Sequence, residues 1–346
     1  MHVEKAAVPL RRAGAAVLAT AMVALGFWAS PAQAVERVED YSITLTRTPP
    51  VEVDVTELNR DNVELVRQKC PDAFPPGSPI PKVGVPFLCS DVPLRVADAG
   101  MTVSGRAGSS QRDGDFLLTC DFVFPGTTDV LVTLGEDFAV TDVELVAISG
   151  GGPVSCGWTL SFRDGGLSGV AKGTVGMSRV PGEQSIATAL DVSVDIVAGS
   201  GVYAAAVGGS GRYVDTYAAP FEPEAAATSV GPARRMAAAD PGELRLKLGR
   251  GRSGARVVAP VGTLRTGDPR RLRVVAPARA VCTATAAKSG STVRLGKATV
   301  AKRTGQAVFP NTLRGKLRSP GTWRVTATCR AGGHSLRAPT TAVRIG

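Results

Sequence analysis

The chain has 346 residues, of which 44% are hydrophobic, 20% charged and 5% aromatic, with 40 Gly, 24 Pro and 6 Cys. This composition excludes wholesale disorder and a collagen-like fibre. With only His2 and His334 it also excludes a multi-histidine metal site, and beyond the first thirty positions no apolar run reaches the roughly 20 residues of a membrane helix.

Lys5, Arg11 and Arg12 form a basic start, followed by an apolar run from Ala13 to Ala29 and the small-residue triplet Ala32-Gln33-Ala34. That order predicts a secretory signal peptide over residues 1–34, with cleavage before Val35. Arg11-Arg12 also has the adjacent arginines of a twin-arginine signal, but the flanking residues do not extend the match.

Charge divides the rest of the chain in two. Residues 35–232 hold 13 basic and 26 acidic residues, net −13, whereas residues 233–346 hold 24 basic and 3 acidic, net +21. The boundary lies in residues 218–243, rich in Ala and Pro, which read as a linker between an acidic domain (35–217) and a basic domain (244–346). Such asymmetry predicts either acid–base docking of the two domains or a basic module that seeks anionic partners.

The acidic domain reads as strands. Ile186, Thr188, Leu190, Val192, Val194 and Ile196 fall on one face of an alternating run, with Asp191, Ser193 and Asp195 on the other. Residues 41–47, 115–124, 129–134, 138–148, 155–163 and 167–177 alternate similarly between Gly and Pro breaks. One short helix is predicted over 61–69, where Asp61 and Glu64 have capping-box spacing. Strands in series with one short helix predict an antiparallel β-barrel or sandwich.

In an exported chain an even cysteine count predicts disulfides. Cys70, Cys89, Cys120 and Cys156 allow three pairings, of which we favour Cys70–Cys89 with Cys120–Cys156; Cys282 and Cys329 pair in the basic domain. A zinc site is not expected, because no close cysteine pair or Cys/His cluster occurs.

The segment Ala198-Gly199-Ser200-Gly201-Val202-Tyr203-Ala204-Ala205-Ala206-Val207-Gly208 resembles the glycine-rich turn and strand of the allene oxide cyclase/dirigent barrel superfamily. It departs from that pattern at Ala198 and Ala205. The resemblance implies an eight-stranded antiparallel barrel with an apolar cavity, and no catalytic residue is carried over. The Arg-, Ala-, Gly- and Val-rich composition resembles that of exported actinobacterial proteins.

Between Glu243 and Gly346 about seven short strands are predicted. Cys282, Ala284 and Ala286 share one face; Trp323, Val325, Ala327 and Cys329 share another. A disulfide beside a buried Trp is the logic of an immunoglobulin-like sandwich. Pro320-Gly321-Thr322-Trp323-Arg324-Val325-Thr326 also resembles a strand of bacterial Ig-like domains, although no tyrosine corner precedes Cys329. The same alternation turns Arg324, Thr326, Thr328 and Arg330 outward, and Arg271, Arg273, Arg324 and Arg330 are the candidate anion-binding residues. Arginine suits phosphate because its planar fork donates two parallel hydrogen bonds.

Catalytic machinery is not evident. His334 lies in a hairpin-like turn, no Gly-x-Ser-x-Gly elbow occurs, and Gly249-Arg250-Gly251-Arg252-Ser253-Gly254 precedes a strand where a dinucleotide motif needs a helix. Asp113-Gly114-Asp115 reads as a turn. Asp191 and Asp195 stand about 13 Å apart along one strand, a solvated face rather than an acid–base pair. No catalytic residue, cofactor or metal is expected.

The sequence therefore predicts an all-β, secreted protein, an antiparallel β-barrel or sandwich followed by an Ig-like sandwich, that binds rather than catalyses. Its basic domain would contact anionic cell-wall polymers or lipid headgroups at the cell surface or in the extracellular space. Export argues against nucleic acid as its physiological partner. The alternatives are a cyclase- or isomerase-like barrel enzyme, a carrier of an apolar ligand, and a purely structural envelope component.

Overall fold

Residues 37–47, 70, 82–96, 100–122, 124–136, 140–179, 185–220, 241–264 and 270–346 are described by the computed structural model of the chain. The expected signal peptide, the expected helix over 61–69 and most of the expected linker lie outside them.

The first half is strand after strand: β1 (Arg37–Arg47), β2 (Phe87–Val96), β3 (Gly100–Gly108), β4 (Asp113–Phe122), β5 (Phe124–Leu134), β6 (Val140–Phe162), β7 (Gly165–Arg179), β8 (Ser185–Gly201) and β9 (Ser210–Pro220). A further strand, β10 (Gly242–Leu248), comes from beyond the Ala/Pro-rich segment and inserts antiparallel between β1 and β9. Its alternation of buried Gly242, Leu244, Leu246 and Leu248 with exposed residues is what one face of a barrel wall requires. The order β6-β4-β3-β1-β10-β9-β8-β7 closes on itself through β6–β7 pairing, giving an eight-stranded antiparallel barrel. Closure removes the free edges that an open sheet would expose. The barrel is thus completed by residues that the charge count assigns to the basic side of the boundary.

Glycine did not end strands where the sequence predicted it would. The expected strands over 138–148 and 155–163 are one 23-residue strand, β6, running straight through Gly150-Gly151-Gly152. Its first part pairs with β5, which pairs in turn with β2, so these two strands form a wing outside the barrel. Its second part joins the wall between β4 and β7. A Cβ on Gly151 would lie 2.9 Å from the Val175 carbonyl, so glycine there permits close approach of two backbones.

Inward positions are filled by large side chains: Trp158, Tyr213, Tyr217, Tyr203, Phe116, Ile43, Met101 and Leu118 are buried. Trp158 faces Gly169 across the β6–β7 pair and donates its indole N–H to the Val170 carbonyl at 3.3 Å. A Cβ on Gly169 would stand 1.8 Å from the Asp195 carbonyl oxygen and 2.6 Å from that indole nitrogen, so backbone and Trp together leave room only for glycine.

The remaining residues build two sheets. β11 (Arg256–Val258), β13 (Arg271–Val275) and β16 (Gln306–Thr312) form one. β12 (Thr263–Leu264), β19 (Thr341–Ile345), β17 (Gly321–Ala331), β14 (Val281–Lys288) and β15 (Ser291–Thr299) form the other, with β18 (His334–Arg337) paired to β17. A single turn of helix, α1 (Leu313–Lys316), follows β16. The two sheets share a core of Leu272, Val274, Ala284, Ala286, Phe309, Trp323, Val325 and Val343. The Cys282–Cys329 bridge joins directly opposed residues of neighbouring strands β14 and β17. An immunoglobulin-type bridge instead spans two sheets. All three expected disulfides form, Cys70–Cys89, Cys120–Cys156 and Cys282–Cys329, as expected of a chain that folds in an oxidising compartment. No helix among the described residues is long and apolar enough to cross a membrane.

Candidate functional site

Alternation along β13 places its two faces in different environments. Leu272 and Val274 enter the core shared with the six-stranded sheet, while Val275 meets Val170, Val197 and Val258 on the outside of the barrel. Arg273 is on that same barrel-facing side. Its Nη1 donates to the Thr119 carbonyl at 2.8 Å and its Nη2 lies 2.5 Å from the Asp121 carboxylate. Gln306 covers the outer face of Gly157, where a Cβ would lie 2.5 Å from its carboxamide carbon, and the Thr159 hydroxyl donates to the Arg303 carbonyl at 3.3 Å. Ser155 and Thr159, which point out of the barrel, are buried for this reason. The three-stranded sheet therefore lies between the barrel wall and the six-stranded sheet.

This arrangement corrects one sequence expectation. Arg273 was expected to face outward as an anion-binding residue, but its side chain is 7% exposed and already paired. The reason is positional: β13 is the central strand of its sheet and is buried on both faces from Leu272 to Val275, so alternation there offers no solvent side. Arg271 is exposed at the start of β13, on a different sheet from Arg324 and Arg330.

Arg324 and Arg330 do lie together, on the face of the six-stranded sheet turned away from its core. Register places Lys297, Thr283, Thr328 and Arg337 in one row across β15, β14, β17 and β18, and Arg294, Thr285 and Thr326 in the next. Arg344 on β19 extends the same face opposite Thr322. Six cations, Arg294, Lys297, Arg324, Arg330, Arg337 and Arg344, are exposed here, and none is paired with a carboxylate among the described residues. Between them the hydroxyls are ordered: Thr285 Oγ1 and Thr326 Oγ1 lie 3.0 Å apart, and Thr283 Oγ1 donates to the Thr328 carbonyl at 3.4 Å. From Gly249 to Gly346 the sequence holds 20 Lys and Arg and one acidic residue, Asp268. The face can attract anions and offers no opposing charge.

A second polar centre closes one end of the barrel. Tyr41 donates to Glu39 Oε2 at 2.5 Å and Tyr203 to the same oxygen at 3.1 Å, with the two phenol oxygens 3.1 Å apart. Arg37 Nη2 lies 2.5 Å from the other Glu39 oxygen. Phe162 stacks on Tyr203, with centroids 5.5 Å apart, and Arg112 lies over both rings while binding both oxygens of Asp164. Burial, then the Glu39 hydrogen bond, raises the Tyr41 hydroxyl far above its ordinary range, and burial raises Tyr203 as well. Both phenols stay protonated and donate to the one Glu39 oxygen.

Sequence reasoning missed this centre, although a signal was present: Glu39 shares the buried phase of β1 with Tyr41 and Ile43. A carboxylate in the core phase of an alternating strand is anomalous. Asp215, between Tyr213 and Tyr217 on β9, is a second such case, accepting from Tyr213 at 2.5 Å.

The other singled-out residues have structural places. Asp113-Gly114-Asp115 opens β4 instead of turning; the turn is made by Ser109–Arg112, where Ser109 donates its N–H to the Arg112 carbonyl. Asp191 pairs with Arg212 through two hydrogen bonds on the exposed barrel face, and Asp195 is exposed. Gly249–Gly254 crosses the β8–β9 connection as a loop, with Gly251 N–H donating to Ala205 and Gly254 N–H to Val197. His334 begins β18 after a Gly332-Gly333 turn in which both glycines have positive φ. No group of three or more His, Cys, Asp or Glu gathers as a metal site among the described residues. No protein-family model matches the chain, and a search of curated proteins finds no match.

Proposed function

We propose that this is a secreted, non-catalytic binding protein of the extracellular space or cell envelope that holds anionic polymer on the outer face of its six-stranded sheet. One observation carries the reading: six exposed cations share that face with no carboxylate paired to them among the described residues. A patch of one sign focuses field on its partner, and each neutralised polymer charge releases counterions. The docked three-stranded sheet and barrel then serve as a rigid support on the opposite side. The reading keeps the C-terminal sheets as an Ig-like module and the barrel as a relative of the allene oxide cyclase/dirigent type.

The test is binding of the full chain to immobilised polyphosphate and to neutral dextran over a salt series. Retention on polyphosphate alone, falling steeply with salt, is expected; Arg324→Gln, Arg330→Gln and Arg337→Gln together should weaken it by at least about tenfold and flatten the salt slope. Equal retention on dextran at low ionic strength would overturn the reading.

A second reading, a barrel enzyme or small-ligand carrier, is favoured by the Glu39–Tyr41–Tyr203 centre, because phenols and a carboxylate at a barrel end are the groups that would orient a polar ligand atom.

A further inference from the structure

The cations on the six-stranded sheet surround a floor of hydroxyls, and this floor narrows what the face can hold. Thr283, Thr285, Thr326 and Thr328 occupy the two central strands in two adjacent rows. Lys297 and Arg294 flank them on β15, Arg337 flanks them on β18, and Arg324 and Arg330 mark the two ends of β17. By strand geometry the backbones of Arg324 and Arg330 are about 20 Å apart along the sheet, and those of Lys297 and Arg337 about 14 Å apart across it. Each threonine adds a methyl and a hydroxyl to a flat surface, and two of the hydroxyls already bond each other, which fixes their orientation.

Other anionic partners need groups that this face lacks. Single-stranded nucleic acid is held by aromatic side chains on which bases stack, and the outward positions of β14, β15, β17, β18 and β19 carry none. Membrane adsorption needs a bulky apolar face to bury below the headgroups, and the outward apolar residues here are only Val281, Ala287 and Ala342. A linear acidic polysaccharide uses both kinds of group present: its acid groups take the rim cations, and its hydroxyls exchange hydrogen bonds with the threonine floor. We propose that this face binds a linear acidic polysaccharide, with Thr283, Thr285, Thr326 and Thr328 selecting sugar over other polyanions. The proposal rests on the polyanion reading above and deepens it.

Full-chain protein would be titrated with polygalacturonate, a carboxylated sugar polymer, and separately with polyphosphate, single-stranded DNA and anionic phospholipid vesicles. Polygalacturonate should bind tightest at equal charge concentration. Replacing the four threonines by Val keeps strand propensity and shape; it should cost about tenfold in polygalacturonate affinity and leave polyphosphate binding unchanged. Replacing them by Ser restores hydroxyls and should recover most of the loss, which separates lost chemistry from a damaged fold. If the Val variant, with an unchanged melting curve, binds polygalacturonate like the native chain, or if DNA or vesicles bind tighter than polygalacturonate, the polysaccharide proposal is wrong. Loss of the polyanion reading itself would look different, because the Arg324, Arg330 and Arg337 replacements would then change no affinity at all.

Discussion

Inside the barrel the inward side chains are Trp158, Phe116, Tyr203, Tyr213 and Tyr217, with Glu39 and Asp215 among them; between the two C-terminal sheets they are mostly alanine, valine and leucine, with Trp323 and Phe309 as the large exceptions. Geometry accounts for the contrast. An eight-stranded barrel has a lumen wide enough to need large side chains, whereas two facing sheets can approach until small residues meet. The aromatic tyrosines bring hydroxyls inside, and those hydroxyls need acceptors, which Glu39 and Asp215 supply. The second region has no such need and carries its polarity outside. One region therefore draws two carboxylates, Glu39 and Asp215, into its interior, while the other carries most of its bases on the surface.

The largest test of that contrast compares the two tryptophans. Trp158→Ala should destabilise by about 5 kcal/mol, because a closed wall cannot collapse into the space and the Val170 carbonyl loses its donor. Trp323→Ala should cost about 3 kcal/mol, because the two sheets can close part of the gap. Urea unfolding monitored by far-UV circular dichroism checks both, and equal losses would break the argument from closure.

The contact between the regions comes next. Arg273→Met removes the partner of Asp121 and the donor to Thr119 at a site closed to solvent, and should cost about 2 kcal/mol. Adding Asp121→Asn to the same chain should recover part of that loss, since no carboxylate is then left without its cation. Melting temperatures of the two variants provide the measurement. No recovery would mean that the pair itself contributes little to docking.

Asp215 sharpens the comparison inside the barrel. Burial raises its carboxyl above the ordinary range, against the Tyr213 hydrogen bond that lowers it. A carboxyl whose folded value exceeds its unfolded value favours the folded state most when protonated. Its contribution is fully present below the unfolded value of about 3.9 and is lost as pH rises through the raised folded value. Asp215→Asn should therefore remove that decline and leave the protein more stable than the native chain at pH 7. Denaturant midpoints of both proteins from pH 4 to 8 would show it, and parallel curves would contradict it.

Strand alternation and cysteine parity were legible in the sequence because both are local. The run from Thr188 to Ile196 has one buried face whatever its neighbours, and an even number of cysteines in a chain that reads as exported points to bridges. Barrel closure was less legible, because β10 joins β1 and β9 across the whole length of the domain and its residues lie beyond the charge boundary. Arg273 was misplaced for a related reason. Alternation identifies two faces of a strand, but only tertiary packing decides whether one of them meets water. The Glu39 and Asp215 centres could have been found by asking which carboxylates occupy the core phase of a strand.

The smallest expected effect comes from the exposed barrel wall, where Arg212 and Asp191 form a bidentate pair across β9 and β8 with side chains 64% and 47% exposed. Its geometry is as good as that of Arg273 and Asp121, so geometry alone would rank the two pairs equally. Solvent separates them. At the surface each group keeps most of its hydration when the partner is removed, salt screens the attraction, and two long side chains lose freedom to hold the contact. The Arg212 hydrogen bond holds the Asp191 carboxyl below its ordinary range, so the pair's contribution exists above the unfolded carboxyl value and is lost as pH falls through the lowered one. Asp191→Asn should leave the denaturation midpoint at pH 7 in about 0.15 M salt unchanged within error, while Arg273→Met lowers it clearly under the same conditions. An equal loss from both would show that burial, and not the pairing of acid with base, has been given too large a part in how the two regions hold together.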